Sequence, residues 1–189
     1  MAPLELIVCD VESTFIDGAR SAFSKSDAKV IHGDLLGCEN CCDCLVHPGN
    51  TLADPVGGLD WSMLNAFGPP YLHALKTAIE AGGSEPAVGT ARLVATGHPK
   101  CRWAVHVAVF PRHPRIAGDA MLAVLRAVDE HNAQAAVADR IRVLATPGLG
   151  TFSGCRADAC VEVAQQMAAV FTEFGLRICG DAMSHGICV

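Results

Sequence analysis

The sequence predicts an α/β protein in which helices flank a largely parallel central sheet. Strand-length apolar runs alternate with segments of helical period, which is the pattern of a parallel sheet with crossover helices. Two glycine-rich loops each follow a strand and precede a helix. Hydrophobic residues make up 51% of the chain and aromatics only 5%, which suits close packing of helix on sheet. At 189 residues the chain reads as one domain, 1–189, able to bury its core without disulfides or metal. The core is expected over about 4–174, followed by a cysteine-containing tail over 175–189.

Each element follows from local pattern. Leu4 to Cys9 is a strand-length apolar run, and Ser13 to Ser24 forms a helix with Phe15, Ala19, Ala22 and Phe23 on one face. Ala28 to His32 is a second short strand, closed by Gly33 and Asp34. Asp43 to Val46 is a third. Leu59 to Phe67 and Tyr71 to Ala81 read as two helices, because Gly68-Pro69-Pro70 cannot continue one. Gly82 and Gly83 end the second of them. Thr90 to Thr96 is a strand, and Trp103 to Phe110 (WAVHVAVF) is the strongest strand of all, stopped by Pro111. Asp119 to Ala138 is helical, with Leu122, Leu125 and Val128 beside Met121 and Val124. Ile141 to Ala145 is the last strand, and Ala157 to Phe174 the last helix, with Val161, Ala164, Ala168 and Phe171 facing in.

Charge and composition exclude several functions. A net charge of −6 argues against a nucleic-acid duplex as partner, since that needs a basic footprint. No apolar run is long enough to span a bilayer, so no membrane is expected. Met1 to Val11 carries Glu5 and Asp10 and no basic n-region, which argues against a signal peptide and for the cytoplasm, with the nucleus as the alternative. Ten cysteines in such a chain do not suggest a disulfide framework. Cys38 and Cys41 supply one C-x-x-C half of a zinc site; Cys179, His185 and Cys188 are the candidates for the other half. Cys42 and Cys44 complete the cluster, and the competing reading is that Cys acts here as a small apolar residue, with no metal bound.

The chemical signal lies in the two glycine loops. The first leaves the strand at Val46 and holds Pro48, Gly49, Asn50, Asp54, Pro55, Gly57 and Gly58 before Asp60 opens a helix. The second runs Pro147-Gly148-Leu149-Gly150-Thr151-Phe152-Ser153-Gly154. Strand, glycine loop and helix N-terminus together cradle phosphate. In a parallel sheet both loops sit at the carboxyl ends of strands, where they can line one crevice around a nucleotide diphosphate. A nicotinamide-binding Rossmann domain is excluded by the first strand, which runs into Asp10-Val11-Glu12 with no glycine before Gly18. A Walker A loop is absent as well.

Over roughly Val30 to Phe174 the chain resembles the macro domain family, which binds ADP-ribose. His32-Gly33-Asp34-Leu35 is similar to the family's G-D-I/L element, and Val46-His47-Pro48-Gly49-Asn50 stands at its V-N-A-A-N. Gly57-Gly58-Leu59-Asp60 is similar to G-G-V-D, with the Asn50-to-Asp60 spacing of hydrolytic members. Gly89-Thr90-Ala91, Thr96-Gly97 and Val105-His106 resemble G-x-A…V-I-H, and Pro147 to Thr151 stands at the second phosphate loop, P-A-I-S-T-G. Three departures stand out. His47 replaces the first asparagine, Asp54-Pro55-Val56 stand where hydrolytic members are often glycine, and Phe152 follows Thr151 where the family usually has glycine.

The resemblance implies a three-layer α/β/α fold with a mixed, mostly parallel sheet. It implies ADP-ribose as ligand, no required cofactor, and a monomer. Asp34 and Leu35 would meet the adenine; Gly49, Gly57, Gly58 and Leu59 would face one phosphate, and Pro147 through Gly154 the other. Asn50 would bind the distal ribose, and Asp60 would hold or activate water at its anomeric carbon. Phe152 would pack on ribose or adenine, or plug the core edge. Each residue also has a plain structural reading. Asp34 and Asn50 suit turns, Asp60 suits a helix N-terminus, and His106 reads as a core histidine. The function expected is hydrolysis of a bond at the distal ribose of an ADP-ribosyl compound. The alternatives are a non-catalytic reader of ADP-ribosylation and a metal-stapled interaction protein built on the cysteines.

Overall fold

The computed structural model describes residues 4–55, 57–82, 87–99, 101–110, 116–152 and 154–184, without side chains at 39, 40 and 176–184. Six strands form one sheet: β1 (Glu5–Asp10), β2 (Lys29–His32), β3 (Cys44–Gly49), β4 (Ala91–Ala95), β5 (Trp103–Ala108) and β6 (Val143–Thr146). Their order is β2-β1-β6-β3-β5-β4. Every pair is parallel except β4 with β5. The sheet is therefore mixed and mostly parallel, as expected.

Alternation along each strand sorts side chains between two cores. Leu6, Val8, Cys44, Val46, Val105, Val107 and Leu144 pack with α1 (Ser13–Ala22), α3 (Ile116–Gln134) and α4 (Ala157–Ser184). Ile7, Cys9, Leu45, Ala104 and Ala145 face the other way, against α2 (Leu59–Glu80) and the short 3-10 turn Leu35–Asn40. The result is three layers. His47 and His106 share the alternation of Leu45 and Ala104, and the β3–β5 register places them opposite one another on the α2 side.

Several elements depart from the expected bounds. The cysteine-rich segment holds a 3-10 turn, Leu35–Asn40, in which Asp34 caps the Leu36 amide. Within α2, by contrast, the two helices expected over 59–81 are separated as expected, by a break at Gly68 (φ 74°, ψ −175°), with Pro69 and Pro70 opening the second half. Proline is tolerated there because the first turn of a helix needs no amide donor. α3 stops at Gln134 instead of Ala138. Asn132 clamps the returning chain, donating to Ile141 O and accepting from Ile141 N at 2.8 Å each, and Val137–Asp139 forms a 3-10 turn instead.

The last helix, expected to end at Phe174, runs on as α4 to Ser184, since no proline interrupts it. Its inner face is also turned. Cys160, Val163, Ala164, Met167 and Ala168 are buried, while Val161 is 38% exposed. Gly83 and Pro111, expected to end a helix and a strand, lie outside the described residues. No described helix is long and apolar enough to cross a membrane.

α1 lies against α4 through Gly18, where an added Cβ would stand 3.2 Å from Val161 Cα and 3.7 Å from Ala164 Cβ. Gly18→Val should force the helices apart and cost about 1–3 kcal/mol. Urea unfolding of the two proteins measures this, and an unchanged midpoint would contradict the contact.

Candidate functional site

β3 and β6 are neighbours at the centre of the sheet and run in the same direction, so the loops after them leave from one edge. They converge on a cavity of ≈ 600 Å³, within the range of small-molecule sites. Gly57, Gly58, Leu59 and Asp60 form one wall; Pro147, Gly148, Gly150, Thr151 and Phe152 form another. Asp34 and Leu35 lie at the same cavity from the 3-10 turn. A second depression, of ≈ 580 Å³ between α1 and α4, holds neither a glycine loop nor a buried polar side chain.

Glycine is needed in these loops for identifiable reasons. Gly57, Gly58 and Gly150 have φ of 127°, 56° and 100°, which side chains rarely adopt. Gly58 is the N-cap of α2 and has no side chain to cap it, so the first amides of that helix lack a side-chain acceptor from the N-cap. A Cβ at Gly148 would lie 2.5 Å from Thr151 Oγ1 and 3.1 Å from Phe15 Cδ2. The Gly148 amide already has a partner, donating to Asp10 Oδ2 at 2.9 Å, while Thr151 Oγ1 donates to Gly148 O.

The wall at Asp60 carries a buried polar chain. Asp60 is 8% exposed and Tyr71, beyond the Gly68 break, is fully buried. His47 lies between them, with Nε2 2.7 Å from Asp60 Oδ1 and Nδ1 2.8 Å from Tyr71 Oη. Burial holds the Tyr71 phenol well above its ordinary range, so it stays protonated. His106 meets the His47 ring edge-on at 5.2 Å between centroids. Its Nε2 has no hydrogen-bond partner among the described residues. Burial first, then His47 and Arg92, hold its pKa down to about 3, so this imidazole is neutral at physiological pH.

The expected site residues divide into those at the cavity and those elsewhere. Gly49 lies behind the wall, where a Cβ would stand 2.6 Å from His106 Nε2 and 3.2 Å from Asp60 Oδ1. Asn50 closes a local turn instead of lining the cavity. Its Oδ1 accepts from Leu52 N and Asp54 N, and its Nδ2 donates to Asp54 O. Leu149 is a core residue, Gly154 does not line the cavity, and Ser153 lies outside the described residues. Asp34 lines the cavity while its Oδ1 accepts from Leu36 N, as a turn residue does.

Cys9, Asp10, Val11, Glu12, Pro48, Ser62 and Val109 line the cavity without having been expected there. The signal for the first four was their place at the carboxyl end of the first strand. For His47 it was the alternation of β3, which turns it toward α2. His106 is a core histidine, though one with an unpartnered nitrogen.

Cys9, Cys38, Cys42, Cys44, Cys101 and Cys160 are buried. Burial pushes the Cys38 and Cys160 thiols up to about 12 and Cys44 well above the usual range. The hydrogen bond to Cys101, then burial, raises Cys42. Cys38 is buried while Cys41 is exposed, and the Cys41 thiol donates to Cys38 O at 3.2 Å. No group of three or more His, Cys, Asp or Glu suited to a metal occurs among the described residues. Cys179, His185 and Cys188 lie outside the described side chains.

No protein-family model and no curated protein matches the sequence. Solved structures do. The fold is similar to the macrodomain of Mycobacterium tuberculosis DarG (TM-score 0.57, 20% identity, covering 76% of this chain and 88% of that one). It is similar to the macrodomain of Thermus aquaticus DarG (TM-score 0.58, 22% identity, 74% and 87%). A Trypanosoma brucei macrodomain in complex with ADP-ribose also aligns (TM-score 0.53, 18% identity, 70% and 53%). This chain has the macrodomain fold. Within that macrodomain frame, the departures at His47 and Phe152 both fall on or directly behind the cavity wall.

Two expectations follow from the wall. Gly49→Ala places a methyl group against both His106 and Asp60 and should cost about 1–3 kcal/mol in urea unfolding. His106 binds its proton near 6.5 in the unfolded chain but only near 3 when folded. Its contribution to stability is therefore complete above 6.5 and lost as pH falls, at about 1.4 kcal/mol per pH unit within that window. Unfolding measured at several pH values should show a shallower fall for His106→Gln than for the natural protein.

Proposed function

We propose that this cavity binds ADP-ribose and that the protein hydrolyses a bond at the distal ribose of an ADP-ribosyl compound. The observation that carries the reading is the convergence of two glycine loops and the α2 N-terminus on one cavity with Asp60 in its wall. Backbone amides and the helix dipole bind a diphosphate without basic side chains, which suits an acidic chain. Asp34 at the rim fits an adenine amino group, and Phe152 offers a ring to ribose or adenine. The similarity in fold to a macrodomain in complex with ADP-ribose supports the same ligand.

In this reading the oxygen of a water molecule bonds to the anomeric carbon of the distal ribose as the bond from that carbon to the leaving group breaks. Asp60 accepts the proton of the water, and its charge opposes that of the oxocarbenium-like transition state. An ADP-ribosylated side chain and a terminal phosphate, each leaving from the anomeric carbon, suit this step; in an O-acyl ester the same water would attack the acyl carbon and the ribose oxygen would leave. No cofactor is required, neither a nucleic-acid duplex nor a membrane is a partner, and the protein acts as a monomer in the cytoplasm. Asn50 favours a second reading, a non-catalytic reader, because its side chain is occupied by the 50–54 turn and does not line the cavity.

Calorimetry against ADP-ribose, ADP, ATP and NAD tests the ligand. ADP-ribose should bind most tightly, and equal affinity for ADP would remove the distal ribose from the reading. Release of ADP-ribose from the three substrate classes tests the chemistry. Asp60→Ala should lower that release by at least about 100-fold while retaining ADP-ribose binding. Full activity in Asp60→Ala would remove Asp60 from the mechanism; tight binding without turnover would select the reader.

A further inference from the structure

We propose that His47 and Tyr71 are positioning residues that fix the orientation and charge of Asp60 through a directional hydrogen-bond chain. The inference rests on the assignment of Asp60 to the reacting end of the cavity. A charged carboxylate can only accept hydrogen bonds, so the 2.7 Å contact requires the proton of His47 to be on Nε2. A neutral imidazole protonated at Nε2 presents a lone pair at Nδ1. The Tyr71 hydroxyl, 2.8 Å away and protonated, donates to it. The chain Tyr71 O–H to Nδ1, Nε2–H to Asp60 Oδ1 is thus satisfied at every atom in one direction. It anchors one carboxylate oxygen and leaves the other for the cavity that Asp60 lines.

The surroundings reinforce that direction. Asp60 and Tyr71 face His47 from α2, and His106 faces it from β5 as a neutral ring. Arg92 stands opposite His106 in β4, and Cys44 and Cys101 approach Tyr71. None of these groups offers Nδ1 a better donor. Gly49 has no Cβ to push between His106 and Asp60, so the carboxylate can sit against the strand.

The arrangement is tested in the protein without ligand by nuclear magnetic resonance. Long-range proton–nitrogen correlation should find His47 as the Nε2–H tautomer, and carboxyl carbon shifts should report the titration of Asp60. Removal of the donor in His47→Leu destabilises the charged carboxylate, so the Asp60 midpoint should rise by about one pH unit, a tenfold gain in proton affinity. His47→Gln retains a donor and should recover part of the shift. Tyr71→Phe removes the donor to Nδ1 and should shift the resonance of that nitrogen while the Nε2 proton is retained.

An Nδ1–H tautomer in the natural protein would overturn the proposal. So would an Asp60 midpoint unmoved in folded His47→Leu or, should that variant not fold, a midpoint in His47→Gln below that of the natural protein. The same variants link the chain to turnover, because the acid limb of the kcat profile should move upward with the Asp60 midpoint while the Kd for ADP-ribose stays within about threefold. Absence of turnover in the natural protein overturns the hydrolase assignment alone; the tautomer and the Asp60 titration still decide the hydrogen-bond chain.

Discussion

A carboxylate taken out of water needs hydrogen bonds, and the wall of this cavity is arranged around that requirement. Asp60 receives its donor from His47, on the strand beneath it, and His47 is matched in turn by Tyr71. Asp60 and Tyr71 are eleven residues apart in sequence, and a straight helix would separate their Cα atoms by roughly 16 Å. The break at Gly68 allows both side chains to meet one imidazole. The missing Cβ at Gly49 and the neutral state of His106 serve the same need. One gives the carboxylate room, and the other places no positive charge beside the neutral His47 ring.

The rest of the cavity is anion-friendly in its backbone and anionic in its side chains. Asp10, Glu12, Asp34 and Asp60 all line it, and no lysine or arginine does among the described residues. Three of the four carboxylates already accept bonds. Asp10 takes the amides of Glu12 and Gly148, Asp34 that of Leu36, and Asp60 the imidazole of His47. Their charge is thereby drawn toward the protein, and the positive ends of amides and of α2 remain to attract a ligand.

Much of this was legible in the sequence, for physical reasons that differ by residue. Gly57, Gly58 and Gly150 could be read because positive φ favours glycine. Asp60 was readable because it opens an apolar helix, and the mostly parallel sheet from alternating strand and helix patterns. The partnership of His47 with Tyr71 was not, since 24 residues and the path of the helix after Gly68 intervene. The turn made by Asn50 was one of two readings that its neighbours allowed, and only coordinates show its amide engaged with Asp54. Asp10 was noted as a charge near the N-terminus and for standing where a glycine would have marked a dinucleotide fold. Its bond to Gly148 spans 138 positions, beyond the reach of any local pattern.

That long-range bond has a consequence for selectivity. The carboxylate of Asp10 sits on the very amide that an incoming oxyanion would use, as a resident competitor tethered at high effective concentration. A small free ion such as sulfate exchanges one acceptor for another at this point and gains little. A larger molecule, engaging the opposite wall as well, recoups the exchange elsewhere. For the proposed diphosphate ligand, that exchange would favour a molecule long enough to reach both walls.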